Sequence, residues 1–430
     1  MHKAGNEVGF WSAVAMGIGA MVGAGIFALI GEAGSIAGSA VWLSFLVGGL
    51  IALLSGYSLG RLGARYPAAG GVVEYLVQGF GVGRFSGTMS VMMYIAALVA
   101  VSLVARTFGS YAHALLPAGS PGWLVGVFAA GIVLAFMLVN LKGARSMARL
   151  EDFVVLVKMA VLVGFIVIGL LFISPERLSP RSYPSGSAIM YSVAVTFFAY
   201  EGFRIVTNAA EDMLDPARTL PRAIMTAIVL VMVVYVGIAI AVFGDLPADA
   251  VIAAKDFALA EAARPMLGQA GFTIVALAAL FATASAINAS LYAVTNITYQ
   301  LATLGELPAP FARPVAHSRE GLVISSAIII LLAVFLDLSS IAAIGALSML
   351  ILHMTVHIGH TRLIKETGAI PTLIYLAIVA NAVTILLGAS HLAKSSPALL
   401  VWIGGFFAIA FGVELLLHLI THRSIRTRLG

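Results

Sequence analysis

The sequence predicts an all-α integral membrane protein with twelve transmembrane helices, the first and sixth of them discontinuous. Three observations predict it. Apolar residues make up 61% of the 430-residue chain and charged residues only 10%, where a soluble domain carries roughly a quarter charged residues. Apolar runs of about 20 residues, the length that crosses a bilayer, recur from one end to the other. Glycines interrupt two of those runs at mid-depth, where irregular backbone is tolerated only if it lines a cavity or binds something.

In order, the runs lie at roughly 9–31, 39–60, 85–116, 122–141, 150–173, 186–209, 222–243, 270–302, 321–337, 339–361, 370–390 and 396–419, each near the ~20 residues a span needs. The first is too long for a signal-peptide core and reads as a retained span. The ninth is short, and a turn near Asp337–Ser340 separates it from the tenth. The whole of 1–430 is expected to form one transmembrane unit: a first half over 9–173, a second over 186–361, and two further helices over 370–419. The longest outer loop, about 244–269, contains Gly244-Asp245-Leu246-Pro247 and a mildly amphipathic stretch, Ala250–Leu267, suited to a lid. The inner segments Gly70–Phe80 and Gly305–Glu320 are suited to lie along the membrane surface.

Basic residues set the orientation. With the N-terminus inside, sixteen fall on the cytoplasmic side: Lys3, Arg61, Arg65, Arg84, Lys142, Arg145, Arg149, Arg218, Arg222, Arg313, Arg319, Arg362, Lys365, Arg423, Arg426 and Arg428. Only Arg177, Arg181, Lys255, Arg264 and Lys394 fall outside, so both termini are expected in the cytoplasm of a cell (plasma or inner) membrane protein. The net charge of +5 arises from these short loops and is no nucleic-acid footprint. With no cysteine, disulfides, thiolate metal sites and cysteine nucleophiles are excluded.

The first break is Gly17–Gly25, with four glycines in nine residues of an uncharged run. The second is Phe197–Arg204, where Gly202 sits beside Glu201 and Arg204. Five spans separate them and they run in opposite directions, the pattern of an inverted repeat with a binding site at its midplane. A broken helix presents amides that attract anions and carbonyls that attract cations. Amides near Gly23, Ala24, Gly25 and Ile26 suit a carboxylate; carbonyls near Val22, Phe198, Ala199 and Glu201, beside Gly202, suit an ammonium. One small molecule carrying both groups is an α-amino acid. Glycines also let membrane helices pack closely, and that reading stands beside the first for Gly17, Gly19, Gly48 and Gly49.

The string Gly19-Ala-Met-Val-Gly-Ala-Gly-Ile-Phe27 resembles the first-helix signature of the amino acid–polyamine–organocation (APC) permeases, and Phe197-Phe-Ala-Tyr-Glu-Gly-Phe203 their sixth-helix signature. Asn208–Asp212, Asp215–Ile224 and His360–Ala369 resemble the family's cytoplasmic turns after spans six and ten. The resemblance extends over nearly the whole chain and is closest to the proton-coupled archaeal and bacterial amino acid transporters. It implies the five-plus-five inverted-repeat (LeuT-like) fold with two extra C-terminal helices, and alternating access. It also implies a role for Lys158, the only charge between Phe153 and Ile173 and roughly 13 Å from the inner face at 1.5 Å per residue. A lysine there titrates readily when desolvated. By similarity its ammonium approaches the Gly19 and Val22 carbonyls and the Ser285 hydroxyl, in place of a coupling cation. A permanently charged strut is the structural alternative.

Glu201 departs from the family, whose similar position is apolar. Three roles fit it: contact with a cationic substrate side chain, capping of the second half of span six, or pairing with Arg204 or Lys158. Arg204 fits an inner gate or a partner to Glu201, and Arg106 an outer-interface position. His353, His357 and His360 share a broad helical face; they fit a proton relay but are expected to be interfacial, and no metal site is expected. No enzyme or nucleotide-binding motif is present. The expected function is secondary transport of amino acids, by proton symport. An amino acid or polyamine exchanger and a non-transporting amino acid sensor are the alternatives. Expected partners are the substrate, with a cationic one among the options, and the lipid bilayer. Protons are the coupling ion and no other cofactor is expected.

Overall fold

The computed structural model describes residues 8–68, 70–142, 148–304 and 307–421; Lys3, Arg145, Arg423, Arg426, Arg428 and the start of the 305–320 segment lie outside them. The only strands among the described residues are a two-residue antiparallel pair, Pro314–Val315 with Ser318–Arg319; the other regular elements are helices. The helices are α1 (Phe10–Ala37), α2 (Val41–Arg65), α3 (Val72–Phe80), α4 (Arg84–Ala114), α5 (Leu124–Leu141), α6 (Ala148–Gly169), α7 (Gly186–Tyr200), α8 (Pro216–Asp245), α9 (Ala248–Ala253), α10 (Ala258–Ala262), α11 (Arg264–Leu304), α12 (Glu320–Phe335), α13 (Leu338–His360), α14 (Ile364–Thr367), α15 (Pro371–Ser395) and α16 (Pro397–Thr421). Nine helical stretches among the described residues are long and apolar enough to cross a membrane, the longest being Gly25–Arg65. Phe10–Gly23, Val154–Gly169 and Glu320–Phe335 are apolar but shorter.

Local chemistry sets the ends. Asp215 caps α8 by accepting the Arg218 amide, with Pro216 in the first turn where its missing N–H costs nothing. Asp337 caps α13 by accepting the Ser340 amide at 2.8 Å, which fixes the turn expected there. Burial opposes the charged form of Asp337, but hydrogen bonds from the Ser340 amide and hydroxyl outweigh it and hold the carboxyl below its usual range.

The break expected in span one is absent: α1 runs unbroken from Phe10 to Ala37. Its glycines instead admit neighbours. A Cβ at Gly23 would strike Ala286 of α11, and one at Gly25 would strike the Ala199 carbonyl and the Tyr235 hydroxyl. In a membrane such close approach is itself a driving force for packing, and it leaves the helix ladder intact. Gly48 is packed in the same way against Thr196 and the Phe197 amide. Span six does change at the expected point. The α-helix stops at Tyr200 and a 3₁₀ helix of 12 residues, Glu201–Asp212, follows. Since 3₁₀ runs beyond three or four residues are uncommon, a run of this length marks a hinge or a strained site.

α1 lies at the centre, against α7, the 3₁₀ segment, α8 and α11. α2 packs along α8, α4 along α11 and α5 along α12. α15 lies on α13, α7 and α2, and α16 on α4. α4 and α13 are buried nearly all round, whereas α5, α15 and α16 turn residues such as Leu134, Leu386, Val401 and Trp402 outward, the surface a bilayer covers.

Candidate substrate site

The two glycine contacts join the centre of the molecule reciprocally. Gly25 of α1 touches the Ala199 carbonyl, and Gly202 abuts the backbone of Ala20 and Met21. Tyr235 of α8 ties the pair together: its hydroxyl donates to the Met21 carbonyl at 2.7 Å and reaches the Ala199 carbonyl at 3.4 Å. Beside this junction lies a cavity of about 650 Å³, a volume that includes the open space at its mouth.

Gly25, Phe198, Ala199, Glu201 and Gly202, all expected from the sequence, line this cavity. Val22 and Ile26 are fully buried and, with Gly23, stand outside the lining; the side chain of Ala24 lies outside the described ones. With α1 intact, the amides expected to hold a carboxylate fall within a continuous helix. Most of the remaining wall comes from Ala97, Ala100, Val101, Leu103 and Val104 of α4 and Ala293, Val294 and Ile297 of α11. The third and eighth expected spans therefore shape the pocket, whereas the tenth acts through His353. Glu201, Arg204 and Ser290 are the polar side chains of the lining.

Both Glu201 oxygens are engaged. Oε1 lies 2.7 Å from Arg204 Nε, close enough for an ion pair though misaligned for a hydrogen bond. Oε2 lies 2.9 Å from His353 Nε2. All three side chains are at least nine-tenths buried. A buried carboxylate needs such partners, because an uncompensated charge there is strongly destabilising. Of the roles that fitted Glu201, pairing with Arg204 is the one seen.

Lys158 is also buried, and its ammonium donates to the Gly19 carbonyl at 2.8 Å. Ser285 is half-buried on α11. Arg106 donates to the Ala333 carbonyl at 3.1 Å. The interfacial position expected for the three histidines is not found: His353, His357 and His360 are 3%, 0% and 1% exposed, because serines of α2 satisfy the two inner rings.

The 244–269 segment folds as α8's end, α9 and α10, and docks over α1. The Lys255 carbonyl packs on Gly31. Its ammonium donates to Ser339 Oγ at 2.7 Å and lies 3.3 Å from Glu32, while Ser339 donates to Glu32 at 2.7 Å. Burial pushes the neighbouring Asp256 carboxyl up. Tyr235 and the Glu201–His353 link were missed from sequence. Tyr235 had a signal, being one of two hydroxyl-bearing residues in the apolar run 222–243.

The sequence profile of the amino acid permease family matches residues 8–413. The chain belongs to the amino acid permease family. It is 36% identical to the inner membrane transport protein YbaT of Escherichia coli over 424 residues, 97% of this chain and 98% of that one. It is 30% identical to the methylthioribose transporter of Bacillus subtilis, over 69% of this chain and 67% of that one. It is 28% identical to the branched-chain amino acid permease BcaP of the same organism, over 56% and 55%. This permease is accordingly a multi-pass membrane transporter and not an enzyme.

Proposed function

We propose that this permease is a proton-coupled symporter of neutral amino acids, working by alternating access in the cell membrane with both termini cytoplasmic. The observation that carries the substrate class is the pairing of Glu201. Its charge is already balanced by Arg204 and hydrogen-bonded by His353, so it offers little to a cationic side chain. The α4 and α11 walls are aliphatic and suit an apolar side chain. Polar substrate groups have the Ala199–Gly202 backbone, Ser290 and the outer nitrogens of Arg204 to meet. Relatives named for branched-chain amino acids and for methylthioribose accord with a pocket whose side-chain half varies.

Four of the first five spans pack on the one five later, which supports an inverted repeat: α1 on α7, α2 on α8, α4 on α11 and α5 on α12. Alternating access then has a hinge at the Tyr200–Glu201 change of helix type. Lys158 is the coupling group of this reading. A neutral lysine loosens its hold on Gly19 and a protonated one restores it, which ties the protonation state to the position of α1. The test is uptake of a labelled amino acid panel into proteoliposomes with and without an inward proton gradient. Accumulation of neutral amino acids driven by the gradient is expected. Uptake that requires preloaded substrate and ignores pH would instead identify an exchanger, and preference for lysine or arginine would overturn the substrate class.

A further inference from the structure

The buried histidines of α13 form a polar column with one gap in its hydrogen bonds, between His353 and His357. It begins at Glu201 in the cavity, whose Oε2 accepts from His353 Nε2–H at 2.9 Å. The His357 ring follows one helical turn on, 6.0 Å away between centroids. His357 Nε2 meets Ser55 Oγ at 3.0 Å and its Nδ1 meets Ser58 Oγ at 3.0 Å. Ser58 Oγ meets His360 Nδ1 at 2.8 Å, and His360 Nε2 meets Thr367 Oγ1 at 2.9 Å. Thr367 stands next to the exposed Gly368, at the end of the molecule that bears Arg61, Arg362 and Lys365.

One tautomer orders the whole line from its far end. When the single Thr367 hydroxyl proton goes to the Leu363 carbonyl at 3.1 Å, Thr367 accepts from His360 Nε2–H. In a neutral ring His360 Nδ1 is then an acceptor, and Ser58 donates to it. Ser58 must therefore accept from His357 Nδ1–H, which leaves His357 Nε2 to accept from Ser55. Every hydrogen bond from His357 to Thr367 points the same way, the arrangement that passes a proton along a chain. At the cavity end His353 Nδ1 is buried with no hydrogen-bond partner, and it is the one nitrogen of that ring free to take a proton.

Glu201 and Arg204 from the 3₁₀ segment and Arg61 from α2 are the charged groups facing this column. On the other elements packed against α13, Tyr75 of α3 is buried, and the following titratable groups have other partners. Glu32 of α1 holds Ser339, Glu74 of α3 holds Gln78, Tyr94 of α4 holds Ser325, Tyr200 of α7 holds the Phe45 carbonyl, and His391 of α15 stacks on Tyr191. Glu414 of α16 packs against Gly87.

We propose that Glu201–His353 is a second proton-binding site, distinct from Lys158, and that His357, Ser58, His360 and Thr367 are the wire that carries its proton to the inner face. This deepens the proton-coupled reading above and rests on it. A proton taken by His353 Nδ1 crosses the gap between the two rings to His357 Nε2, which gives up its hydrogen bond from Ser55 Oγ as the proton arrives. His357 Nδ1–H then goes to Ser58, the Ser58 proton to His360 Nδ1, and the His360 Nε2 proton to Thr367, whose own proton leaves to water. Each atom in the line breaks one bond to hydrogen and makes one, and one proton enters for one that exits.

The test uses the full chain in proteoliposomes containing a pH-sensitive dye, with a mixture of labelled neutral L-amino acids as probe. His357→Gln keeps a side chain that can bond Ser55 and Ser58 but cannot carry a proton; Ser58→Ala cuts the wire between two intact rings. Substrate counterflow at equal pH reports folding and binding. The expected result is counterflow within about twofold of wild type for both variants, with substrate-driven lumen acidification reduced tenfold or more. Acidification retained within twofold in both overturns the wire and leaves coupling to Lys158. If His357→Gln shows no counterflow, Ser58→Ala alone decides between these results. Amino acid uptake by wild type without any acidification would overturn the proton-coupled reading, and the wire with it.

Discussion

Glu201 shows how a single side chain changes meaning once its neighbours are known. As a carboxylate in a membrane span it is a candidate for a cationic substrate; ion-paired with Arg204 and hydrogen-bonded to His353, it is a clamp between the 3₁₀ segment and α13. Glu201→Gln leaves Arg204 buried without its counter-charge, at a cost of about 3 kcal/mol. The expected outcome is a lower thermal midpoint in detergent and an equal loss of uptake for basic and neutral amino acids. Selective loss of basic substrates would return Glu201 to substrate contact. Lys158 and Glu201 were legible in the sequence because a charge in an apolar run declares itself. Tyr235 and His353 were harder to read: their partners are backbone carbonyls or residues 152 positions away, and no local pattern encodes such a meeting.

Among the elements, the instructive pair is α1 and span six. Both carry glycines at mid-depth, yet only the second changes helix type. Glycine lowers the cost of a break and equally permits close packing, so the sequence signals a special backbone without saying which kind. Gly202 sits at the change itself, against the α1 backbone. Gly202→Ala would drive a Cβ into Ala20 and Met21; overpacking of this kind costs about 1–3 kcal/mol. Uptake should fall at least tenfold, and the thermal midpoint should drop. Gly131→Ala on α5, where nothing lies within 4 Å of the added carbon, should leave both unchanged. Equal tolerance of the two substitutions would show that the α1 contact at Gly202 is dispensable.

Across the whole molecule, helix positions were the most legible feature, since span length and charge exclusion are set by the bilayer rather than by tertiary detail. Packing was less so: that α1 would lie at the centre and α15 and α16 at the rim depends on which faces meet, and hydrophobic runs without a polar face carry little of that information. The segment over α1 is tied down by the Lys255–Ser339–Glu32 contacts, and the cavity lies between α1, α4, the 3₁₀ segment and α11. In this arrangement Lys158 holds α1 at Gly19 from a position with no other charge close along its helix, and proton coupling is the claim on which the functional account rests. The most direct measurement is gradient-driven accumulation of labelled neutral amino acids by wild type and Lys158→Ala in proteoliposomes, with counterflow at equal pH as the control. The account predicts that the variant keeps counterflow and loses accumulation. Accumulation by Lys158→Ala with an unchanged dependence on the proton gradient would contradict it.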